Sequence, residues 1–507
     1  PTLPVICRQL RIPENRLSGQ APRRTDLNLV STAVDNLVEE RMDPVSVEAA
    51  TPAREGTTSA SQNSAIAEAR GPAIRTLSAP AGRRSGPSLE KRLLQRLLKV
   101  VGDPPLVMVL WNGEEVISGA ASGDGAIRVT IHDRGTVWRI LTDPFFQFPE
   151  AYTNGKLDID GDLEYVMCLV ARCAASAPPV ATRWLTLIEK ALHWGSRTTL
   201  SASRKNIHHH YDIGNEFYRL WLDENLLYTC AYFEDPNASI EAAQIAKMDH
   251  VCRKVWLQPG ETVIEAGCGW GGFALHMARH YGVRVRAYNI STEQVNAARA
   301  RAKAEGLDDR VEFILDDWRN ITGKCDVFMS IGMLEHVGLK NYRQLGDVID
   351  RCLSPSGRGL IHSIGRNRHE VLDPWIERRI FPGAQPPALS EMGAIFEPNQ
   401  LSILEVENLR LHYAETLRHW LARYEEAAET VRELYDARFV RMWRMYLAGS
   451  IAAFDSGTLQ LFQVLFGRPR LNELPLTRSH LYSHLPACEG RPAPSAPVSP
   501  PLSWDER

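Results

Sequence analysis

Two side chains in the second half of the chain could share a proton-handling task. Glu335 lies in Gly332-Met-Leu-Glu-His-Val-Gly338, and His362 in Gly359-Leu-Ile-His-Ser-Ile-Gly365. Held in one crevice, a carboxylate and an imidazole form an acid/base pair. Alone, a His in an apolar run reads equally as a satisfied core residue, and a loop Glu as a solvated one. A further acid, Glu265, stands in Val263-Ile-Glu-Ala-Gly-Cys-Gly-Trp-Gly-Gly272, two residues before the first glycine. Glycines directly after an apolar run let the backbone turn and bring its amides close to a ligand at the next helix. Gly267, Gly269 and Gly272 also satisfy the dinucleotide spacing, a weak signal that a bare tight turn meets as well. Two features favour S-adenosylmethionine over a dinucleotide. Glu265 could face the ammonium of the methionine end, whereas a carboxylate would repel a pyrophosphate. The next strand ends at Asn289 with no acid for a dinucleotide's ribose hydroxyls. Ser291 and Gln294 form a candidate capping box and could also supply polar ribose contacts.

The elements that must position these residues are legible as a change of pattern. From Val251 to Ile364 short apolar runs alternate with helical segments, which predicts a parallel, doubly wound α/β sheet. Strands are expected at Thr262 to Glu265, Val283 to Asn289, Val311 to Leu315, Val327 to Ile331 and Gly359 to Ser363. In such a sheet ligands collect beyond the carboxyl ends of the strands. The groups there are Glu265, then Asn289, then Asp317 with Trp318, then Glu335 with His336, and finally His362. Upstream, His210 to Tyr218 and Tyr228 to Phe233 supply aromatics with few charges, and Trp375, Ile376, Ile380 and Phe381 follow in a segment expected to cover the site. Such a lining suits a long apolar ligand; rings that simply pack a helical cap are the plainer alternative.

The 507 residues exceed one core and allow two. A hydrophobic share of 44%, a charged share of 23% and a net charge of -3 describe an ordinary globular protein, and no nucleic-acid partner is expected. No apolar run approaches the length needed to span a bilayer, so any membrane contact is expected to be peripheral. The first residues lack a charged-then-apolar leader pattern and the first of them is Pro1, not Met, as expected where the true start lies upstream. Nine scattered cysteines without a Cys-x-x-Cys pair point away from a disulfide framework or zinc site, and toward the cytoplasm. The run His208, His209 and His210 is not expected to bind metal, because adjacent side chains diverge and no second ligand group completes a site. Residues 1–87 are expected to be disordered, as is a Pro- and Ser-rich tail over 471–507. Residues 88–170 read as a small α+β accessory domain, with a helix through Leu93 to Val101 and strands at Leu106 to Trp111 and Ala126 to His132. A linker with one helix, carrying Trp184, Leu185, Ile188 and Leu192 on one face, occupies 171–205. Residues 206–470 form the main domain.

Taken together, the segments His-Tyr-Asp, Tyr-Thr-Cys-Ala-Tyr-Phe, Gly-Cys-Gly-Trp-Gly-Gly, Glu-His-Val-Gly, His-Ser-Ile-Gly and Ile-Phe-Pro-Gly, in that order, resemble the cyclopropane-fatty-acyl-phospholipid synthases and the related mycolic acid cyclopropane synthases. The resemblance runs from about Asn206 to Phe466. It implies a Rossmann-like class I methyltransferase domain with a helical cap, using S-adenosylmethionine and a bicarbonate ion. The implied reaction is methylene transfer to a cis double bond of a phospholipid acyl chain. The double bond takes the methyl group, a carbocation forms on the chain, and bicarbonate removes a methyl proton as the ring closes. By motif match, Cys230, Glu335, His362, Ile364 and Tyr413 would hold the bicarbonate. His362 and Tyr413 would donate hydrogen bonds, Glu335 would orient the anion's proton, and backbone groups of Cys230 and Ile364 would complete the cage. Implied cofactor contacts are Tyr228, Thr229, Gly267, Cys268, Gly269, Trp270, Gly271, Asn289 to Gln294, Asp317 and Trp318, with Glu265 where the family commonly has Asp. Ser450 stands where many phospholipid-acting members carry a cysteine. Similarity of the accessory domain, above all Ala151 to Leu163, to that of the phospholipid-acting members implies acyl chains at the inner face of the membrane as partners. The same domain is a candidate dimerisation element. Competing expectations are a methyltransferase giving a methyl-branched or otherwise methylated product, and a non-catalytic lipid-binding paralogue.

Overall fold

The computed structural model describes residues 87–119, 127–176 and 214–482. The N-terminal extension up to residue 86, the linker helix around Trp184, the His208 to His210 run and the tail beyond 482 lie outside them.

The accessory segment begins with the helix Leu89–Val100, which Ser88 caps by accepting from the Lys91 amide. Four short strands follow: β1 (Leu106–Val109), β2 (Glu115–Ile117), β3 (Ile127–Ile131) and β4 (Leu157–Asp160). They form a sheet in the order β2-β1-β3-β4, with β1 and β3 parallel and the outer pairs antiparallel. The turn-rich stretch from Ala151 to Leu163 thus contains an edge strand. The helix Leu163–Ser176 continues beyond residue 170, where the accessory domain was expected to end.

The main sheet has seven strands: β5 (Thr262–Ala266), β6 (Arg284–Asn289), β7 (Val311–Leu315), β8 (Cys325–Ile331), β9 (Leu353–Gly365), β10 (Ser402–Asn408) and β11 (Gln460–Gly467). Their order is β10-β11-β9-β8-β5-β6-β7. The five expected strands are the parallel ones. β11 adds antiparallel to β9, and β10 antiparallel to β11, so the sheet is mixed. From β5 the chain winds outward through β6 and β7, then returns to the other side of β5 for β8 and β9. That reversal between β5 and β8 opens the crevice in which doubly wound sheets bind ligands.

Helices from well-separated stretches cap the crevice: Ile240–Lys254, Pro374–Arg379, Arg410–Glu426 and Ala437–Asp455. Three of them bury rings, Trp375, Trp420, Tyr424 and Trp443, and Trp221 from the chain before residue 240 is enclosed with these. One apolar cluster joins these rings to Leu94, Leu106, Val129 and Ile140 of the accessory segment, so cap and accessory sheet share a core. Ion pairs edge the seam, from Glu150 to Arg379 at 2.7 Å, Glu164 to Arg418 at 2.7 Å and Asp158 to Arg441 at 2.9 Å. The expected disorder from residue 471 does not hold for residues 471–482. A short helix, Ser479–Tyr482, is present, and Leu481 is buried. Among the described residues no helix is long and apolar enough to cross a membrane.

Candidate active site

Two cavities meet above the crevice. The smaller, about 140 Å³, lies over the carboxyl ends of β5 and β6 and is lined by Glu265, Gly267, Cys268, Gly269, Trp270, Asn289, Gln294, Asp317 and Trp318. The glycine turn reaches it because two positions admit nothing larger. A side chain at Gly267 would lie 2.8 Å from Met333, and one at Gly271 would lie 2.5 Å from the Phe313 ring; both have positive φ. Gly271 therefore packs closely beneath the turn. Ser291 is buried and caps the helix Thr292–Ala304 through the Gln294 amide. The capping box is only half formed. Gln294 Oε1 accepts from Asn289 Nδ2 at 2.8 Å, and the Ser291 amide donates to Asn289 Oδ1. Asp317 accepts from the Arg319 amide and guanidinium at 3.0 Å.

Glu265 is enclosed, its Oε2 has no hydrogen-bond partner, and burial pushes its carboxyl up to about 8 against the pull of Lys247. A carboxylate placed this way stabilises a ligand cation and is itself stabilised by one. Lys247, which sequence reasoning missed, is buried in the same wall and donates to Thr229 Oγ1 at 2.9 Å. Burial lowers it to about 8. Its spacing from Ile240, Ala243 and Val251 puts it on the helix's apolar stripe, but a helical Lys normally reads as a solvated residue.

The larger cavity, about 420 Å³, holds Cys230, Glu335, His362, Ile364 and Tyr413 together. Tyr228, Thr229, Gly332 and His336 line both cavities and so form the wall where they adjoin. Glu335 Oε1 accepts from the Ile364 amide at 2.6 Å, while Oε2 is buried without a partner. The Ile364 N–H thus orients Glu335. Burial pushes the Glu335 carboxyl up to about 7. His362 sits inside β9, beside Ile331 at the end of β8, with Nδ1 on Gln463 and Nε2 buried without a partner. Burial and the cations of Lys247 and Lys254 hold it down at about 3, so the ring is neutral. The Cys230 thiol is pushed up by burial and donates to the Ala231 carbonyl, which makes it no nucleophile at neutral pH. His336 is held at about 4 by burial.

Two buried, unpartnered polar atoms, Glu335 Oε2 and His362 Nε2, therefore belong to residues that line one apolar hollow. Left so, each costs roughly 1–3 kcal/mol, which a small anion carrying both a proton and an acceptor oxygen would offset. Away from them the walls are apolar. They include Trp375, Phe381 and Tyr446 of the cap and then Leu97, Met108, Val129 and Phe148 of the accessory segment. Of the expected apolar lining Tyr228, Trp375, Ile376 and Phe381 are in the wall, whereas Phe217, Tyr218, Tyr232 and Phe233 pack against other rings; Tyr228 and Tyr446 join hydroxyls at 2.8 Å. Ser450 also faces this cavity.

Comparison with known proteins places the main domain and the accessory segment separately. The model of the mycolic acid cyclopropane synthetase family matches residues 198–464, and that of a domain of unknown function matches residues 93–178. A Pseudomonas putida protein described as a "probable fatty acid methyltransferase" is 33% identical over 396 residues, 75% of this chain and 96% of that one. The Escherichia coli cyclopropane-fatty-acyl-phospholipid synthase is 39% identical over 270 residues, 53% of this chain and 69% of that one. Among solved structures, the mycolic acid cyclopropane synthase CmaA1 complexed with SAH and CTAB aligns with a TM-score of 0.50 at 29% identity, covering 52% of this chain and 98% of that one.

Proposed function

The chain belongs to the mycolic acid cyclopropane synthetase family of methyltransferases, and from that premise we propose that it converts cis double bonds of phospholipid acyl chains to cyclopropanes. The observation that carries this reading is the pair of unpartnered atoms, Glu335 Oε2 and His362 Nε2, on residues that line an apolar cavity adjoining the glycine-turn cavity. Bound S-adenosylmethionine supplies an electrophilic methyl group, and bound bicarbonate supplies the base for the proton lost on ring closure. Glu265 holds the ammonium end of the methyl donor, with Asn289, Gln294, Asp317 and Trp318 around the remainder. Glu335 accepts a hydrogen bond from the anion while His362 and Tyr413 donate to it. The long apolar wall excludes water, so that charge developing on the acyl chain meets the ring faces of Tyr228, Phe381 and Tyr446 rather than solvent. Overall one carbon–carbon bond replaces the sulfur–methyl bond, the former methyl loses a proton, and a second carbon–carbon bond closes the ring.

A second reading, transfer that ends in a methyl branch, is favoured by the relative described as a fatty acid methyltransferase, which the chain covers over nearly its whole length. Incubation with oleoyl- or vaccenoyl-phospholipid vesicles and isotopically labelled methyl donor separates the two. We expect a labelled cyclopropane by mass spectrometry and proton NMR; a labelled branched chain without a ring would replace the first reading by the second. Peripheral contact with the inner face of the membrane belongs to the same proposal, because the accessory segment walls the acyl cavity.

That wall also gives a specificity test. Val129 is buried and lines the cavity from the accessory strand β3. In Val129→Phe, added volume should lower kcat/KM for long acyl chains by roughly 10-fold, about 1–3 kcal/mol of overpacking, and spare shorter ones. Competition between vesicles of different chain length, with a melting curve as control, measures this. Equal loss for all lengths at an unchanged Tm would remove the accessory segment from the acyl path.

A further inference from the structure

We propose that Gln463 fixes the tautomer of His362, placing the ring proton on Nε2 where it faces the larger cavity, and that Lys254 sets the orientation of the Gln463 amide. The inference rests on reading His362 as a donor to a bound anion, and it names two positioning residues that no motif marks.

The arrangement begins in sheet register. His362 of β9, Gln463 of β11 and Glu407 of β10 lie directly opposite one another across three adjacent strands. Opposed residues share a face, so the three side chains form one row. Lys254, at the end of the helix Ile240–Lys254, reaches that row and is 2% exposed. It donates to Gln463 Oε1 at 2.7 Å and pairs with Glu407, whose other neighbour is His250 Nε2 at 2.8 Å. Glu405 completes the surroundings of the ammonium at 3.6 Å. Burial would raise the Glu407 carboxyl, but His250 and Lys254 hold it down at about 2, so the carboxylate that anchors Lys254 is charged.

An ammonium only donates, so the oxygen of the Gln463 amide must face Lys254. Its NH₂ group then faces His362 Nδ1, at 3.2 Å. Nδ1 must accept, and a neutral imidazole has one proton, which is left on Nε2. The reverse amide orientation would set donor against donor at Lys254 and turn a lone pair of His362 toward the cavity, where it could not donate to an anion. Nε2 is the atom buried without a partner. The same row also satisfies a buried lysine, a purely structural task, so the test must read the tautomer itself.

The experiment uses the whole protein labelled with ¹⁵N-histidine, without methyl donor or lipid, and two-bond ¹H–¹⁵N correlation spectra. His362→Gln identifies the His362 signals by their disappearance. We expect the wild-type ring to carry its proton on Nε2. In Gln463→Glu the new carboxylate can only accept, so the proton should move to Nδ1, and kcat should fall at least ~100-fold with methyl-donor Kd unchanged by calorimetry. A wild-type ring protonated on Nδ1, or a Gln463→Glu ring that keeps its proton on Nε2, overturns the inference. Should Gln463→Glu not fold, the wild-type spectrum decides alone. A branched product from the vesicle assay, with the tautomer as described, would overturn the proposed ring closure and leave this inference standing.

Discussion

Glu335→Gln should lower turnover by roughly 10²–10⁴-fold while leaving affinity for the methyl donor unchanged. The amide keeps one oxygen, which can still accept from the Ile364 N–H as Glu335 Oε1 does at 2.6 Å, so the loop after β8 retains its anchor. The atom turned to the cavity changes from an acceptor to an NH₂ donor, and it would then meet the proton that an anion such as bicarbonate presents. Stability should move the other way. Burial raises the wild-type carboxyl from 4.5 to about 7, so the folded state holds a proton that the unfolded chain has already released between those values. The stabilisation from that proton is fully present below about 4.5 and is lost as pH rises through about 7. A shift of that size corresponds to at most about 3 kcal/mol. Glu335→Gln does not titrate, and its melting temperature at pH 8 should equal or exceed that of the wild type. Stopped product formation and calorimetric binding read the first effect, melting curves across pH the second. Wild-type turnover in this variant would remove Glu335 from the chemistry.

The second large effect is on binding. Glu265→Gln should raise the dissociation constant for S-adenosylmethionine by roughly 10- to 100-fold, the worth of a charge-assisted hydrogen bond in an enclosed site. The wild-type carboxyl is pushed by burial from 4.5 up to about 8 in the protein without ligand. Stability contributed by the protonated acid is therefore present at low pH and lost as pH rises toward and through about 8. A bound cation favours the carboxylate and offsets that loss, so the rise in Tm on adding the methyl donor should grow with pH in the wild type. In Glu265→Gln the rise should be small and independent of pH. Calorimetry and thermal shift at pH 6 and pH 8.5 distinguish these outcomes, and an unchanged dissociation constant would mean that Glu265 does not face the ligand. Lys247, buried beside it, limits the size of the effect because it already supplies part of the compensating charge.

Much of this site was legible before any coordinates, because local backbone rules reach a long way in a doubly wound sheet. A glycine turn after β5 must open toward a ligand, and parallel strands must end on one edge, which brings Glu265, Asn289, Asp317 and Glu335 to the same crevice. Chain order and residue type therefore determined the sheet's parallel half, its ligand edge and the acids along it. Adjacency in sequence does not say what else a residue beside the turn must do. Gly271 is fitted against Phe313, and Ser291 spends its hydroxyl on a helix cap.

Only tertiary structure decided what completes the pocket. β11 begins 95 residues after the end of β9 yet pairs beside it, so nothing near His362 in sequence announces Gln463. Lys254 and Lys247 fall on the apolar stripe of their helix, but nothing in that stripe says which distant groups their ammonium ends meet. The accessory segment, readable only as a small separate domain, contributes Val129 and Met108 to the wall of a cavity whose polar end is built from β8 and β9. The physical reason is the same in each case. Short-range periodicity records which face of an element is apolar, but which distant face it meets is set by packing the whole chain around one core.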